Sequence, residues 1–221
     1  MSDLTKRALS EALKEALRHK PLSKVTVTEL TDACGVNRMT FYYHFKDIYD
    51  LVEWTCQDFA QKGLGGNRTA STWQQGLLGI FDAVRANASF VDNVYHSVSR
   101  EQLERYLHDV TYDLLIGVVD ENACGLPVTD EQRAFIADFY KYGFVGLVLA
   151  WIRDGMREDP ERIVERLSTM VRGNFRKALV AFSEADGADA MTTNAQARAE
   201  ASAHGDGADS PTAARPSPSR A

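Results

Sequence analysis

Between Arg38 and Lys46 the chain reads RMTFYYHFK, a run in which most side chains can make a polar contact of some kind. Arg38 carries a planar fork of donors that suits a guanine edge. Thr40, Tyr42 and Tyr43 carry hydroxyls, and Lys46 is a point cation. On a helix, at about 100° per residue, Phe41 and Phe45 share one face. Tyr43 then lies nearly opposite with Met39 beside it, and Thr40 and Tyr42 take the flanks. Such an outward face is wasteful in water. It has a use if Met39 and Tyr43 reach base edges, Thr40 and Tyr42 offer hydroxyls to phosphates, and Arg38 reads bases from the helix's N-terminal end. Lys46, just past the helix, suits a phosphate. An aromatic-rich packed helix remains the alternative for the same residues.

Little else in the sequence could do chemistry. There is no Ser/His/Asp or Cys/His arrangement in a recognisable context, no glycine-rich phosphate loop and no close carboxylate pair among apolar residues, so an enzyme is not expected. His96 and His108 have no metal-binding spacing with each other or with Cys34, Cys56 and Cys124, and neither metal nor other cofactor is expected. The cysteines are odd in number and far apart, which reads as reduced, buried thiols. Trp73, Tyr95, His96, His108, Tyr112 and Tyr140 could line a small-molecule pocket, though each alone reads more readily as core or surface, and the ligand-binding residues stay unassigned.

The elements that hold Arg38 to Lys46 are helices, and no strand pattern stands out. Leu9, Leu13, Ala16 and Leu17 form one stripe of a first helix, Thr5 to His19, which Pro21 ends. Thr26 and Glu29 make a capping box for a short helix to Cys34, Gly35 breaks it, and Asn37 caps the next, which ends near Phe45. A fourth helix runs from Asp47 to Lys62. Gly63 to Ser71 reads as a flexible linker. Helices follow over 72–87, 90–97, 100–122, 130–156 and 160–182, with capping boxes at Ser99/Gln102 and Thr129/Gln132. From Glu184 the chain lacks large apolar residues and reads as a disordered tail.

Two short helices around a glycine turn, packed on a longer one, form the helix-turn-helix pattern. The stretch from Thr26 to Leu51, TVTELTDACGVNRMTFYYHFKDIYDL, resembles the DNA-binding signature of the TetR family of bacterial transcription regulators. The residues that carry the likeness are the Thr26-Val27 opening, Gly35-Val36, Thr40, Tyr42, Phe45 and the start of the following helix. The resemblance implies that Thr28, Arg38, Met39 and Tyr43 read bases, and that Thr26, Thr40, Tyr42, His44 and Lys46 hold the backbone. The chain departs from the family at Met39, where a small residue is common, and at Ile48, where a phosphate-binding lysine is common. More loosely, HFKDIYDLVEW and GFVGLVLAWIRDGMREDPERIVERL are similar to the subgroup that includes dihydroxyacetone kinase regulators.

The expected class is all-α: a helix-turn-helix domain over 1–50, a larger helical regulatory and dimerisation domain over 51–183, and the tail over 184–221. Helix 130–156 is apolar almost all the way round, with Gly143, Gly146 and Ala150 as a small-residue stripe. The last helix adds Leu167, Met170 and Val171 among more apolar residues than one monomer face requires. The resemblance implies that these two helices pair with their symmetry mates. A two-fold dimer would also let two recognition helices enter successive major grooves. A thick intramolecular core is the other reading of those helices.

Charge agrees with local contact to DNA. The first fifty residues count 8 Lys/Arg against 7 Asp/Glu within a chain of net charge −6. The N-terminus lacks a signal-peptide run and the uncharged stretch Tyr142–Ile152 is too short to span a bilayer, so a cytoplasmic protein without membrane contact is expected. The expected partners are a double-stranded DNA operator, a second copy of the chain, and a small-molecule effector or co-regulator protein. The alternative function is a helical co-regulator acting through a protein partner, with weak or no DNA binding of its own.

Overall fold

The computed structural model describes residues 2–98 and 100–185, and among these all regular structure is helical. In chain order the helices are α1 (Ser2–Ala16), α2 (Val27–Cys34), α3 (Arg38–His44), α4 (Ile48–Leu64), α5 (Trp73–Ala86), α6 (Ala88–Ser97), α7 (Arg100–Ala123), α8 (Asp130–Arg153) and α9 (Pro160–Val171). A further helix, α10, covers 174–185, and a single 3₁₀ turn, Leu22–Lys24, joins α1 to α2. The capping box expected at Ser99 and the tail from 186 onward lie outside the described residues. Residues 184 and 185, assigned to that tail, are still helical.

Leu9 and Leu13 on α1 and Leu17 just past its end close over Leu30 of α2, Phe41 of α3 and Phe45, and together they form the core of a three-helix head. Helix α4 belongs to both parts of the molecule. Its first turns bury Leu51, Val52 and Thr55 toward α1, where Thr55 Oγ1 donates to the Leu51 carbonyl at 2.7 Å and pairs with the Ser10 hydroxyl at 3.1 Å. Its later turns bury Phe59, Ala60 and Leu64 against α5 and α7. Helices α7 and α8 pack along each other, and α9 covers α5.

Two expectations need correction. The segment 63–71 is docked, with close backbone approach at Gly63 and, just beyond the segment, at Gly76. A Cβ on Gly63 would fall 2.2 Å from the Gly79 carbonyl oxygen, and one on Gly76 would fall 2.4 Å from that of Asn67. Leu64 is buried, Arg68 donates to Gln61 at 2.7 Å, and the Ala70 N–H donates to the Glu121 carboxylate at 2.6 Å. The last helix, expected as one piece, is two. Gly173 takes the left-handed conformation at φ +76, which breaks the rod. The new direction lets Phe175 stack on Tyr140 with ring centres 4.6 Å apart.

Helix α8 is, among the described residues, long and apolar enough as a whole to cross a bilayer, unlike the shorter uncharged stretch inside it. Here one side of it, from Ile136 to Ile152, is buried in the chain's own core. The other side carries Phe135, Phe139, Tyr142 and Leu147 and is exposed.

Candidate nucleic-acid interface

The turn between α2 and α3 follows from its sequence. Gly35 adopts φ 65, ψ 28, and the Val36 N–H reaches back to the Thr31 carbonyl at 3.0 Å, a left-handed stop that needs glycine. Thr26 Oγ1 accepts the Glu29 N–H at 3.3 Å. The second half of that capping box is not made, because Lys20 takes the Glu29 carboxylate at 2.5 Å. Asn37 Oδ1 accepts the Thr40 N–H at 2.8 Å and starts α3. At the far end Asp47 caps α4 through the Asp50 N–H at 2.9 Å, and Asp50 in turn accepts the Lys46 N–H. Both flanks of α3 are thus fixed by short side-chain bonds.

Helix α3 divides as the angles predict. Phe41 is fully buried and Phe45 nearly so, with Trp54 stacked edge-on against Phe45 at 6.2 Å and Lys6 over both rings. On the opposite side Met39 is 76% and Tyr43 83% exposed, and Tyr42 is half exposed. Arg38 lies over the Tyr42 ring and donates to its hydroxyl at 3.4 Å, so its guanidinium is already held above the helix surface. His44 is half-buried, its ring edge-on to Tyr43 at 4.9 Å. Thr26, Thr28 and Lys46 are exposed beside this face.

Two positions differ from a simple list of outward groups. The Thr40 hydroxyl donates to Asn37 Oδ1 at 3.0 Å, so its proton is committed to the cap and must turn away before it can meet a phosphate, which only accepts. The sequence signal was available: Asn37 and Thr40 stand three apart, the spacing of a cap that can be shared. Ile48, at a position where the family commonly offers a lysine, is half-buried against the core and does not join the outward face.

The residues singled out for dimer contact separate into two groups. Gly143 and Gly146 are exposed with open space where a side chain would be, Ala150 is half-exposed and Met170 is 67% exposed. Leu167 and Val171 face inward and are buried within the chain. They sit where α9 packs on α5, and Leu167 also lines the floor between α8 and α9. An open groove of about 280 Å³ runs between α8 and α9 over Leu147, Ala150, Trp151, Ile163 and Met170.

The aromatic and histidine side chains considered for a ligand pocket do not converge. Trp73 is buried on Phe144, Tyr140 packs on Phe175, Tyr95 borders a space of only about 60 Å³, and exposed His96 stands 3.5 Å from Asp92. His108 lies edge-on to Tyr142, and Lys141 sits over both Tyr112 and Tyr142. Burial first, and then Lys141, push the His108 imidazole below its ordinary value. Trp73 does border an open cleft of about 230 Å³ with Gln74, Val118, Asn122, Ser168 and Phe175. The Cys56 thiol is pushed far up by burial and is not a nucleophile.

Comparison with known proteins bears on the same two regions. Residues 9–54 match the family model described as bacterial regulatory proteins, tetR family, and residues 71–173 match that of a transcriptional regulator C-terminal region. The HTH-type dhaKLM operon transcriptional activator DhaS of Lactococcus lactis subsp. lactis (strain IL1403) is 23% identical over 95 residues, 42% of this chain and 50% of that protein. The chain therefore aligns with about half the length of this relative. Among solved structures, the dihydroxyacetone kinase operon activator DhaS superposes with TM-score 0.59 at 16% identity, covering 80% of this chain and 97% of the other. NalD, the secondary repressor of the MexAB-OprM multidrug efflux pump in Pseudomonas aeruginosa, gives 0.52 at 19% identity, covering 78% and 97%. At these identities the superpositions speak for the fold.

Proposed function

The chain belongs to the TetR family of bacterial regulatory proteins, and on that premise we propose that it binds a palindromic operator as a homodimer through α2 and α3. As a member it is a transcription regulator with a helix-turn-helix DNA-binding domain, and not an enzyme. Residues 1–50 are the reading head and 51–183 the regulatory and dimerisation domain, which answers to a small-molecule effector or a co-regulator protein in the cytoplasm.

The observation that supports this reading is the division of α3. A helix that served only the core would not turn Met39, Tyr42 and Tyr43 outward beside Arg38, since exposed apolar surface is costly to keep in water. Arg38, Met39, Tyr43 and Thr28 are assigned to base edges. Thr26, Thr40, Tyr42, His44 and Lys46 are assigned to the phosphate backbone. The homodimer is supported by the exposed row on α8: Phe135, Phe139 and Tyr142 beside Gly143 and Gly146, continued by Met170 on α9. Apolar side chains in one row, next to glycines that admit a second helix closely, suit a self-complementary two-fold contact. Ile48 being turned inward leaves Lys46 to supply the phosphate contact at the start of α4.

The test is selection of bound DNA from a random pool with the full chain, followed by anisotropy titrations of wild type, Arg38→Ala and Tyr42→Ala. The expected products are inverted repeats with half-sites about one helical turn apart, each variant losing tenfold or more in affinity. Wild-type binding no more selective than either variant refutes the assignment.

A further inference from the structure

Asn93, in the middle of α6, is turned toward the end of α1. Its Nδ2 donates to the carbonyl oxygens of Leu17 and Lys20, each at 3.0 Å, and its Oδ1 accepts the Leu22 N–H, also at 3.0 Å. Ser97 Oγ stands 3.5 Å from the same Oδ1. The three backbone groups lie where α1 has run out of internal partners, which leaves carbonyls and an N–H in want of a bond. Two acceptors and one donor call for two N–H groups and one C=O on a short arm. Asparagine supplies that set, and in only one orientation of its amide. Leu22, between the bonded groups, is buried beside α6.

Two of the contacts that join the reading head to the larger domain lie far apart in the chain. One is α4, which follows α3 directly and runs on into the core of the second domain. The other is Asn93. A body joined at one place can pivot about it, whereas a second bonded contact removes that freedom. We propose that Asn93 is a positioning residue for operator recognition: it locks the angle of the head on the larger domain and so sets the distance between the two heads of the dimer. Selection among operators by half-site spacing then depends on an amide remote from the DNA. The proposal rests on the homodimeric, DNA-reading function argued above.

Asn93→Asp replaces the NH2 group and its two donors with one carboxylate oxygen facing two carbonyls, and breaks the clamp by repulsion. Asn93→Ala removes it without a charge, and alanine is the residue best tolerated at a half-buried helical position. Two measurements on the full chain separate the claims. The first places spin labels on a non-natural residue at exposed position 32 of α2 and reads the head-to-head distance distribution in the DNA-free dimer. Both variants are expected to broaden it about twofold; an unchanged width overturns the proposal. The second compares operators whose half-sites are moved apart or together by single base pairs. Discrimination between the best and the altered spacings is expected to fall about tenfold, the loss of roughly one to two hydrogen bonds. An equal loss of affinity at every spacing marks a purely structural role and refutes the assignment. If wild type binds no DNA while the variants broaden the distances, the clamp stands and the DNA-reading function falls.

Discussion

Phe139 and Leu167 lie on the two helices that the sequence marks as over-supplied with apolar residues, and the fold sends them opposite ways. Phe139 is 67% exposed on α8, while Leu167 is 4% exposed under α9. A phenylalanine side chain buries on the order of 200 Å² when fully covered, so a partner helix would cover roughly 130 Å² more of Phe139. At about 25 cal/mol per Å² this is near 3 kcal/mol, and two-fold symmetry places the residue in the contact twice, for about 6 kcal/mol gross. Association does not return buried area in full, and if about half survives, Phe139→Ala raises the dimer Kd by roughly two orders of magnitude. Leu167→Ala should instead cost about 2–5 kcal/mol of folding stability, lowering Tm by several degrees with little direct effect on dimerisation. Sedimentation velocity over a concentration series gives the first quantity and thermal melting by circular dichroism the second. A Phe139→Ala chain that dimerises within about threefold of wild type refutes the assignment of this face.

Three further outcomes follow from particular contacts. Lys46→Ala should lower the slope of log Kobs against log salt by about 2 for a dimer, one phosphate from each head, measured by anisotropy at several salt concentrations; an unchanged slope removes Lys46 from the backbone contacts. Gly79→Ala sets a Cβ 2.0 Å from the Gly63 carbonyl oxygen where α4 crosses α5, and should cost about 3 kcal/mol or more, near 10 °C in Tm. A melt within a degree of wild type would show that the crossing can open without penalty. The His108 imidazole is held below its ordinary value by burial and by Lys141. The fold therefore favours the neutral ring: that contribution to stability is present above the ordinary imidazole pKa and is lost as pH falls through it toward the lower folded value. Melting wild type and His108→Gln between about pH 7.5 and 5 should show the decline in wild type and a flatter profile in the variant. Parallel profiles would assign the decline to other groups.

How much of the fold was legible depended on what each signal measured. Apolar periodicity reports which face is covered, and it located the helices because nearly every one has a covered face. Capping chemistry is local and held at Asn37 and at Thr129, where both halves of the box with Gln132 are made; Asp159-Pro160 marks the start of α9 without a side-chain capping bond. Glycine carries two meanings that sequence cannot separate. At Gly35 it marks a left-handed stop, as read. At Gly63, Gly76 and Gly79 it marks backbone close to backbone, beside a stretch that looked free and is docked, and at Gly173 it ends a helix that the apolar pattern carries through. The same ambiguity hid that Leu167 and Val171 are buried within the chain itself. A helix covered on one side by its own chain and open on the other reads as apolar all round in either case. Which half meets a partner is a property of packing, and Phe135, Phe139, Tyr142 and Met170 emerge as the exposed set only in the fold.

The candidate reading face was legible for a different reason: α3 is so short that angle alone assigns its sides. What angle could not show is that some of its polar groups are engaged before DNA arrives. Arg38 already rests on Tyr42, and the Thr40 hydroxyl donates a hydrogen bond to Asn37. The first arrangement stiffens a long side chain at an exposed bond that is weak in net terms, and on the proposed assignment of Arg38 to a base edge it would reduce the entropy lost on contact. The second opposes binding, since the hydroxyl must trade one acceptor for another. Because Asn37 also holds the Thr40 N–H at 2.8 Å, releasing the hydroxyl leaves the cap in place and the exchange costs little. The face is thus arranged with Arg38 ready and Thr40 one bond rotation away, and a phosphate rather than a base is the partner for which that rotation suffices, because any of its oxygens will accept the proton.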